Sequence, residues 1–211
     1  MSKKIVAING SPRTDWNTAQ MVKSAAKGAQ EAGAEVKYYD IFKLNTKGCY
    51  SCFGCRRLGN PDYAKCNIHD DLTPVLDDIL SSDGLLLGSP IYCGDVTASV
   101  RALCERLWFP GIAYSTEHKP LYERRIPTKL LFTMNAPSHD FHKHVNEQML
   151  HTFSWIIGDT EIIEATETLQ FDDYAKYETT MFDVQQRIDR HRDVFPQDLQ
   201  NAYNAGKALA L

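Results

Sequence analysis

The chain has 211 residues, of which 43% are hydrophobic and 24% charged, enough to bury the core of one α/β domain without requiring a second. Lys plus Arg number 23 and Asp plus Glu 27, a formal net charge of −4, which lacks the basic footprint of a nucleic-acid binder or of a protein held on an anionic membrane. No apolar run approaches the roughly 18 residues of a spanning helix, and Asn9-Gly10 ends the first apolar run too early for a signal peptide, so the expected location is the cytoplasm.

Strand and helix patterns alternate along the chain. Lys4–Asn9 is a β-rich run stopped by Gly10-Ser11-Pro12. Residues 18 to about 32 predict a helix capped by Asn17 or Thr18 and ended by Gly33. Residues 35–41 predict a second strand. Residues 47–69 have no clear period and hold four of the six cysteines, an insert of a length that is usually functional or disordered. A helix over 70–80 is expected to bury Leu72, Val75, Leu76, Ile79 and Leu80. Residues 84–88 are wholly apolar, as suits a central strand buried on both faces. Further helices are predicted over 96–107 and 142–157, and further strands over 128–134 and 160–166. A closing helical region spans about 183–211, interrupted near Phe195-Pro196. Five strands separated by helices imply one domain over 1–211, with a parallel sheet covered on both faces. In such sheets ligands sit beyond the carboxyl ends of the strands, where strand order reverses.

The loop leaving the first strand reads Asn9-Gly10-Ser11-Pro12-Arg13-Thr14-Asp15-Trp16-Asn17-Thr18. It is neither a Gly-x-Gly-x-x-Gly turn nor a Walker loop, which argues against a dinucleotide Rossmann site and an NTPase. It does feed hydroxyl and amide groups into a helix N-terminus, where free N–H groups and the helix dipole favour an anion. Ser11, Asn17, Thr18 and the local backbone are candidates to bind a phosphate monoester, with Arg13 adding charge or covering a ring; a capped turn with no ligand is the alternative. After the third strand, Ser89, Pro90, Ile91, Tyr92 and Gly94 are candidates to face a flat ring. Gly94 would let the backbone approach closely, and Tyr92 is otherwise an ordinary surface aromatic. After the fourth strand, Asn135 and Ala136 are candidates for the ring's polar edge, and His139 is expected to be solvated.

Ile8-Asn9-Gly10-Ser11-Pro12-Arg13 with Asn17-Thr18 resembles the phosphate loop of the NADPH-dependent FMN reductases and iron-sulfur flavoproteins. Gly88-Ser89-Pro90-Ile91-Tyr92 is similar to their second flavin loop, and Asp70-Asp71 after Cys66 matches a pattern they often show. The resemblance implies a flavodoxin-like fold: a doubly wound, five-stranded parallel sheet of order 2-1-3-4-5 in three α/β/α layers. It also implies non-covalent FMN, NAD(P)H as co-substrate, and a homodimer or homotetramer. The family places Gly just before Asn-Thr where this chain has Trp16. The loop is therefore expected to be reshaped, or Trp16 to face the flavin or a partner subunit.

Cys49, Cys52 and Cys55 follow ferredoxin-like spacing, and Cys66 completes a candidate set of four for a [4Fe-4S] cluster. The family resemblance supports that assignment. Zinc and free or redox-active thiols remain alternatives. Cys93 is expected to be a small buried thiol and Cys104 a core residue. Glu105-Arg106 reads as a solvated or interfacial charge pair, and Arg187, Arg190 and Arg192 with Asp189 and Asp193 as a solvated helix face. The expected function is an FMN-dependent oxidoreductase that takes hydride from NAD(P)H and serves a small-molecule acceptor such as a quinone or a flavin. Flavin chemistry needs no dedicated acid or base, so no catalytic side chain is assigned. One rival is an iron-sulfur flavoprotein that carries electrons between protein partners; another is a zinc-stabilised interaction module that has lost its flavin.

Overall fold

The computed structural model describes residues 2–211. Six strands form β1 (Lys4–Asn9), β2 (Glu35–Asp40), β3 (Gly84–Tyr92), β4 (Asp95–Val96), β5 (Thr128–Thr133) and β6 (Thr160–Ala165). Among the described residues six α-helices accompany them: α1 (Asn17–Glu31), α2 (Thr73–Ser81), α3 (Ala98–Gly111), α4 (Lys143–Ile156), α5 (Val184–Asp193) and α6 (Phe195–Ala210). The sheet order is β2-β1-β3-β5-β6, and short β4 pairs only with β3. The five long strands are parallel neighbours, so the expected doubly wound order holds and β4 is an addition to it.

Alternation along the buried strands builds the three layers, because successive side chains point to opposite faces. Val6, Ile8, Leu85, Leu87, Leu130 and Phe132 join one core cluster, which α2, α3 and α4 cover with residues such as Ile79, Leu103, Leu107, Met149 and Phe153. Ile5, Ala7, Leu86 and Leu131 face the other way, onto Met21, Val22 and Ala25 of α1 and Ala202 and Leu209 of α6. Each fully buried aliphatic side chain contributes about 1.5–3 kcal/mol, so both faces hold the sheet. Among the described residues, no helix is long and apolar enough to cross a membrane.

Several boundaries differ from the sequence expectation. β3 does not stop at Gly88: Ser89 and Pro90 pair in register with Phe132 and Thr133 of β5. Tyr92 then pairs with Asp95 across a two-residue turn, in which Cys93 (φ 51°) and Gly94 (φ 82°) are both left-handed. Tight hairpins favour positive φ at both central positions, so Gly94 serves the turn. Cys93 is exposed rather than buried. α1 is preceded by Trp16, which has extended backbone angles and no side-chain cap bond, in place of a cap by Asn17 or Thr18. Val96 belongs to β4, and Thr97 caps α3 by accepting from the Val100 amide. The break in the C-terminal region falls at Val194.

Candidate functional site

The turn leaving β1 is shaped by buried polar contacts. Asn9 is fully buried; its Oδ1 accepts from the Ser11 amide (3.1 Å), and its Nδ2 donates to Asp40 (2.9 Å). Gly10 donates to the Gly88 carbonyl at 2.8 Å and accepts from the Thr97 hydroxyl at 2.8 Å. A Cβ on Gly10 would lie 2.1 Å from Val100 Cγ2 and 2.7 Å from Gly88 O, so the turn needs glycine for close approach. Ser11 Oγ accepts from the Arg13 amide at 3.1 Å, which leaves the hydroxyl proton to donate elsewhere. The turn then enters α1, whose first-turn N–H groups receive no side-chain cap. Trp16 has φ −100°, so the backbone there suits any residue, and Trp replaces Gly without strain.

The turn after β1, the end of β3, the end of β5 with the turn after it, and the segment after β6 converge on a cavity of about 260 Å³. Eight of the candidate residues line it: Ser11, Arg13, Asn17, Thr18, Pro90, Ile91, Tyr92 and Asn135. The Tyr92 phenol is pushed above its ordinary value by desolvation and drawn back by the charge of Arg13. Thr18 Oγ1 is hydrogen-bonded to Thr133 Oγ1 at 2.7 Å. Ser89 does not reach the cavity; it is fully buried, donates to the Pro90 carbonyl and accepts from the Thr97 amide. Gly94 lies in the hairpin turn beside His142 and His144. Ala136 lines an adjoining, largely apolar and open chamber of about 380 Å³, which shares Ile91, Met134 and Asn135 with the first and is also lined by Phe141, Met181 and Phe182.

Comparison with known proteins decides what this architecture is. A model of the family described as NADPH-dependent FMN reductase matches residues 3–157. The chain belongs to the NADPH-dependent FMN reductase family. An iron-sulfur flavoprotein of Methanocaldococcus jannaschii is 34% identical over 103 residues, 49% of this chain and 51% of that protein; the matched segment thus spans about half the length of each. Among solved structures, an NAD(P)H:quinone oxidoreductase from Methanothermobacter marburgensis superposes with a TM-score of 0.67 at 15% identity, covering 99% of this chain and 98% of its own. An FMN-dependent NADH-azoreductase from Bacillus anthracis, in complex with FMN, gives 0.67 at 13% identity and covers 100% of both chains. These two establish the flavodoxin-like fold.

FMN is the cofactor of this FMN reductase family, and the cavity fits its parts. A phosphate suits the uncapped N-terminus of α1 and the free hydroxyl proton of Ser11. Asn17 is 5% exposed, and its Oδ1 has no partner. Its Nδ2 gives one of its two N–H groups to the Leu169 carbonyl at 2.7 Å, so the second N–H and the Oδ1 acceptor are both available to a polar ligand.

Sequence reasoning missed Thr133, Met134 and residues 168–171 as cavity walls. It also misread three arginines, Arg106 as solvated or interfacial and Arg187 and Arg190 as solvated. Arg106 is 1% exposed. It donates to Asp70 (2.6 Å), Cys66 Sγ (3.3 Å) and the carbonyls of Ile68 (2.9 Å) and Lys47 (3.2 Å). Arg187 is also buried, between Glu167 (2.6 Å) and Asn135 Oδ1 (2.8 Å), and Arg190 pairs with Asp198 in a largely buried contact. Arg192, Asp189 and Asp193 are exposed as expected.

The cysteine insert lies against α3. Besides Arg106, Glu105 accepts from the Cys49 amide at 3.0 Å, and Arg56 donates to the carbonyls of Phe109 and Pro110. Desolvation pushes the Cys55 thiol up; Arg56 opposes this, and Cys66, Cys52 and Cys49 add to it. Cys49, Cys52 and Cys66 are therefore each within electrostatic reach of Cys55. Among the described residues, however, no three His, Cys, Asp or Glu side chains converge as metal ligands. As arranged here, the four cysteines do not fit a cluster or a zinc ion. Cys104 is fully buried with its thiol pushed strongly up by desolvation, consistent with a core role.

Proposed function

We infer that the protein is an NAD(P)H-dependent FMN oxidoreductase that reduces a small organic acceptor such as a quinone or a flavin. The observation that supports this most is the pairing of a cavity at the α1 N-terminus, lined by both polar and apolar side chains, with a more apolar chamber that shares Ile91, Met134 and Asn135 with it. Ser11, the α1 amides and Arg13 would bind the phosphate of FMN; Asn17 and Thr18 would meet its ribityl chain; Pro90, Ile91, Tyr92, Asn135 and Ala136 would flank the ring. FMN, when bound, supplies hydride acceptance at its ring and one- or two-electron delivery. The chain's own task is to orient and to exclude water. Ile91, Met134, Phe141, Met181 and Phe182 present apolar surface on which a flat nicotinamide or acceptor could stack. Arg187, fixed by Glu167, holds the Asn135 side chain in place. No proton-transferring side chain is assigned.

A second reading, an iron-sulfur electron carrier, is favoured by the names of the relatives that match over half of their length. It would require the insert to rearrange so that Cys49, Cys52, Cys55 and Cys66 close on one cluster. Anaerobic mixing of the purified, FMN-loaded protein with NADPH or NADH, with iron analysis of the same preparation, separates the two. Rapid bleaching of the flavin absorbance without stoichiometric iron is the expected result. Four irons per chain and no bleaching would reverse the assignment.

A further inference from the structure

The segment after β6 is tied to the phosphate loop by three side chains. Trp16 Nε1 donates to the Leu169 carbonyl at 2.8 Å, Asn17 Nδ2 to the same carbonyl at 2.7 Å, and an Arg13 guanidinium nitrogen to the Gln170 carbonyl at 2.6 Å. The Arg13 guanidinium also lies over the Trp16 ring, 3.9 Å from its centroid. On its other side the same segment is pinned to the turn after β5. The Thr168 amide and hydroxyl both donate to the Met134 carbonyl (3.0 and 3.1 Å), and the Glu167 amide donates to Ala136 O at 3.0 Å. The Tyr174 hydroxyl accepts from the Gln170 amide at 2.8 Å. Residues 168–171 thus bridge two loops and form a wall of the 260 Å³ cavity.

We propose that Trp16 is a positioning residue for cofactor retention: its indole N–H, with Arg13 and Asn17, latches residues 168–171 as the outer wall of the FMN cavity. This rests on the FMN reading above and goes beyond it. Each of the three donors meets a backbone carbonyl, so the latch depends on the loop's side chains and not on the sequence of the wall. Trp16 is the arm whose removal leaves the others in place. Phe at that position keeps an aromatic surface under Arg13 but has no N–H. The Leu169 carbonyl would retain Asn17 and lose its second donor. One hydrogen bond of this kind corresponds to roughly a 3- to 10-fold change in an equilibrium between closed and open wall.

The test compares wild type with Trp16→Phe, both loaded with FMN. FMN release is followed by the recovery of flavin fluorescence on dilution, and amide exchange is measured on the same samples. The expected result is release about 3- to 10-fold faster in the variant, with faster exchange at residues 168–171 and unchanged exchange in β1 and β3. Equal release rates would overturn the proposal. So would a lowered melting temperature with unchanged release, because that is the signature of a purely structural tie. Wild-type protein that takes up no FMN would instead overturn the FMN reading itself, and the latch as a retention device with it. Wild-type protein that binds FMN while the variant releases it at the same rate removes the latch alone.

Discussion

Ser11 carries the most exposed test of the site at the scale of one side chain. Its oxygen is engaged by the Arg13 amide, so replacement by Ala loses both that turn contact and a side-chain proton that would be donated to the phosphate. A hydrogen bond to a charged group contributes about 1.5–3 kcal/mol. Ser11→Ala should therefore weaken FMN binding by roughly 10- to 150-fold, as read by quenching of flavin fluorescence in a titration; unchanged affinity would detach Ser11 from the phosphate. The presence of Ser11, Asn17 and Thr18 at the cavity was legible because a strand, a turn and a helix start are local features. The bond from Asn17 to the Leu169 carbonyl was not, because the two residues lie 152 positions apart. Arg106 was misread for a related reason: Arg-Glu neighbours on a helix look solvated until Asp70, 36 residues upstream, is folded onto them.

At the scale of elements, the cysteine insert depends on that buried arginine. Burial opposes ionisation of Asp70, but Arg106 and the amides of Leu72 and Lys47 overcome it and hold its carboxyl below the usual carboxylate range. A group whose folded pKa is depressed adds stability above its unfolded value and loses it as pH falls through the folded one. The insert should thus be firmly docked at neutral pH and loosen as pH falls below about 4, the ordinary Asp value. Limited proteolysis or amide exchange across residues 47–69 would show this as protection lost there before the sheet opens. Asp70→Asn should flatten that pH dependence; a docking equilibrium with the same acid dependence in the variant would contradict the role of Asp70. The elements themselves were largely legible, since alternation and apolar runs mark β1, β3 and β5 directly. β3 was cut short because Gly88-Ser89-Pro90 reads as a stop, whereas sheet pairing with Phe132 and Thr133 carries the strand through it. The wall at residues 168–171 was missed because nothing in its local pattern distinguishes it from a surface loop. The strand-order rule directed attention to the loops after the first, third and fourth strands, not to the one after the fifth.

Over the whole molecule, the order of strands places four loop segments at one edge, and the family match over residues 3–157 covers three of them. The fourth, residues 168–171, falls outside that match, as do Phe182 and Arg187. The matched part of the chain supplies the turn after β1, the start of α1, Ile91, Met134 and Phe141, and the part beyond the match adds residues 168–171, Met181, Phe182 and Arg187 to the two cavities. The central claim is that the turn after β1 and the start of α1 hold a phosphate ester. The affinities of the ligand-free protein for FMN and for riboflavin, which differ only by that phosphate, test it most directly. Several charge-assisted hydrogen bonds to the phosphate predict that FMN binds at least about 100-fold more tightly; equal affinities for the two, or none for either, would contradict the account.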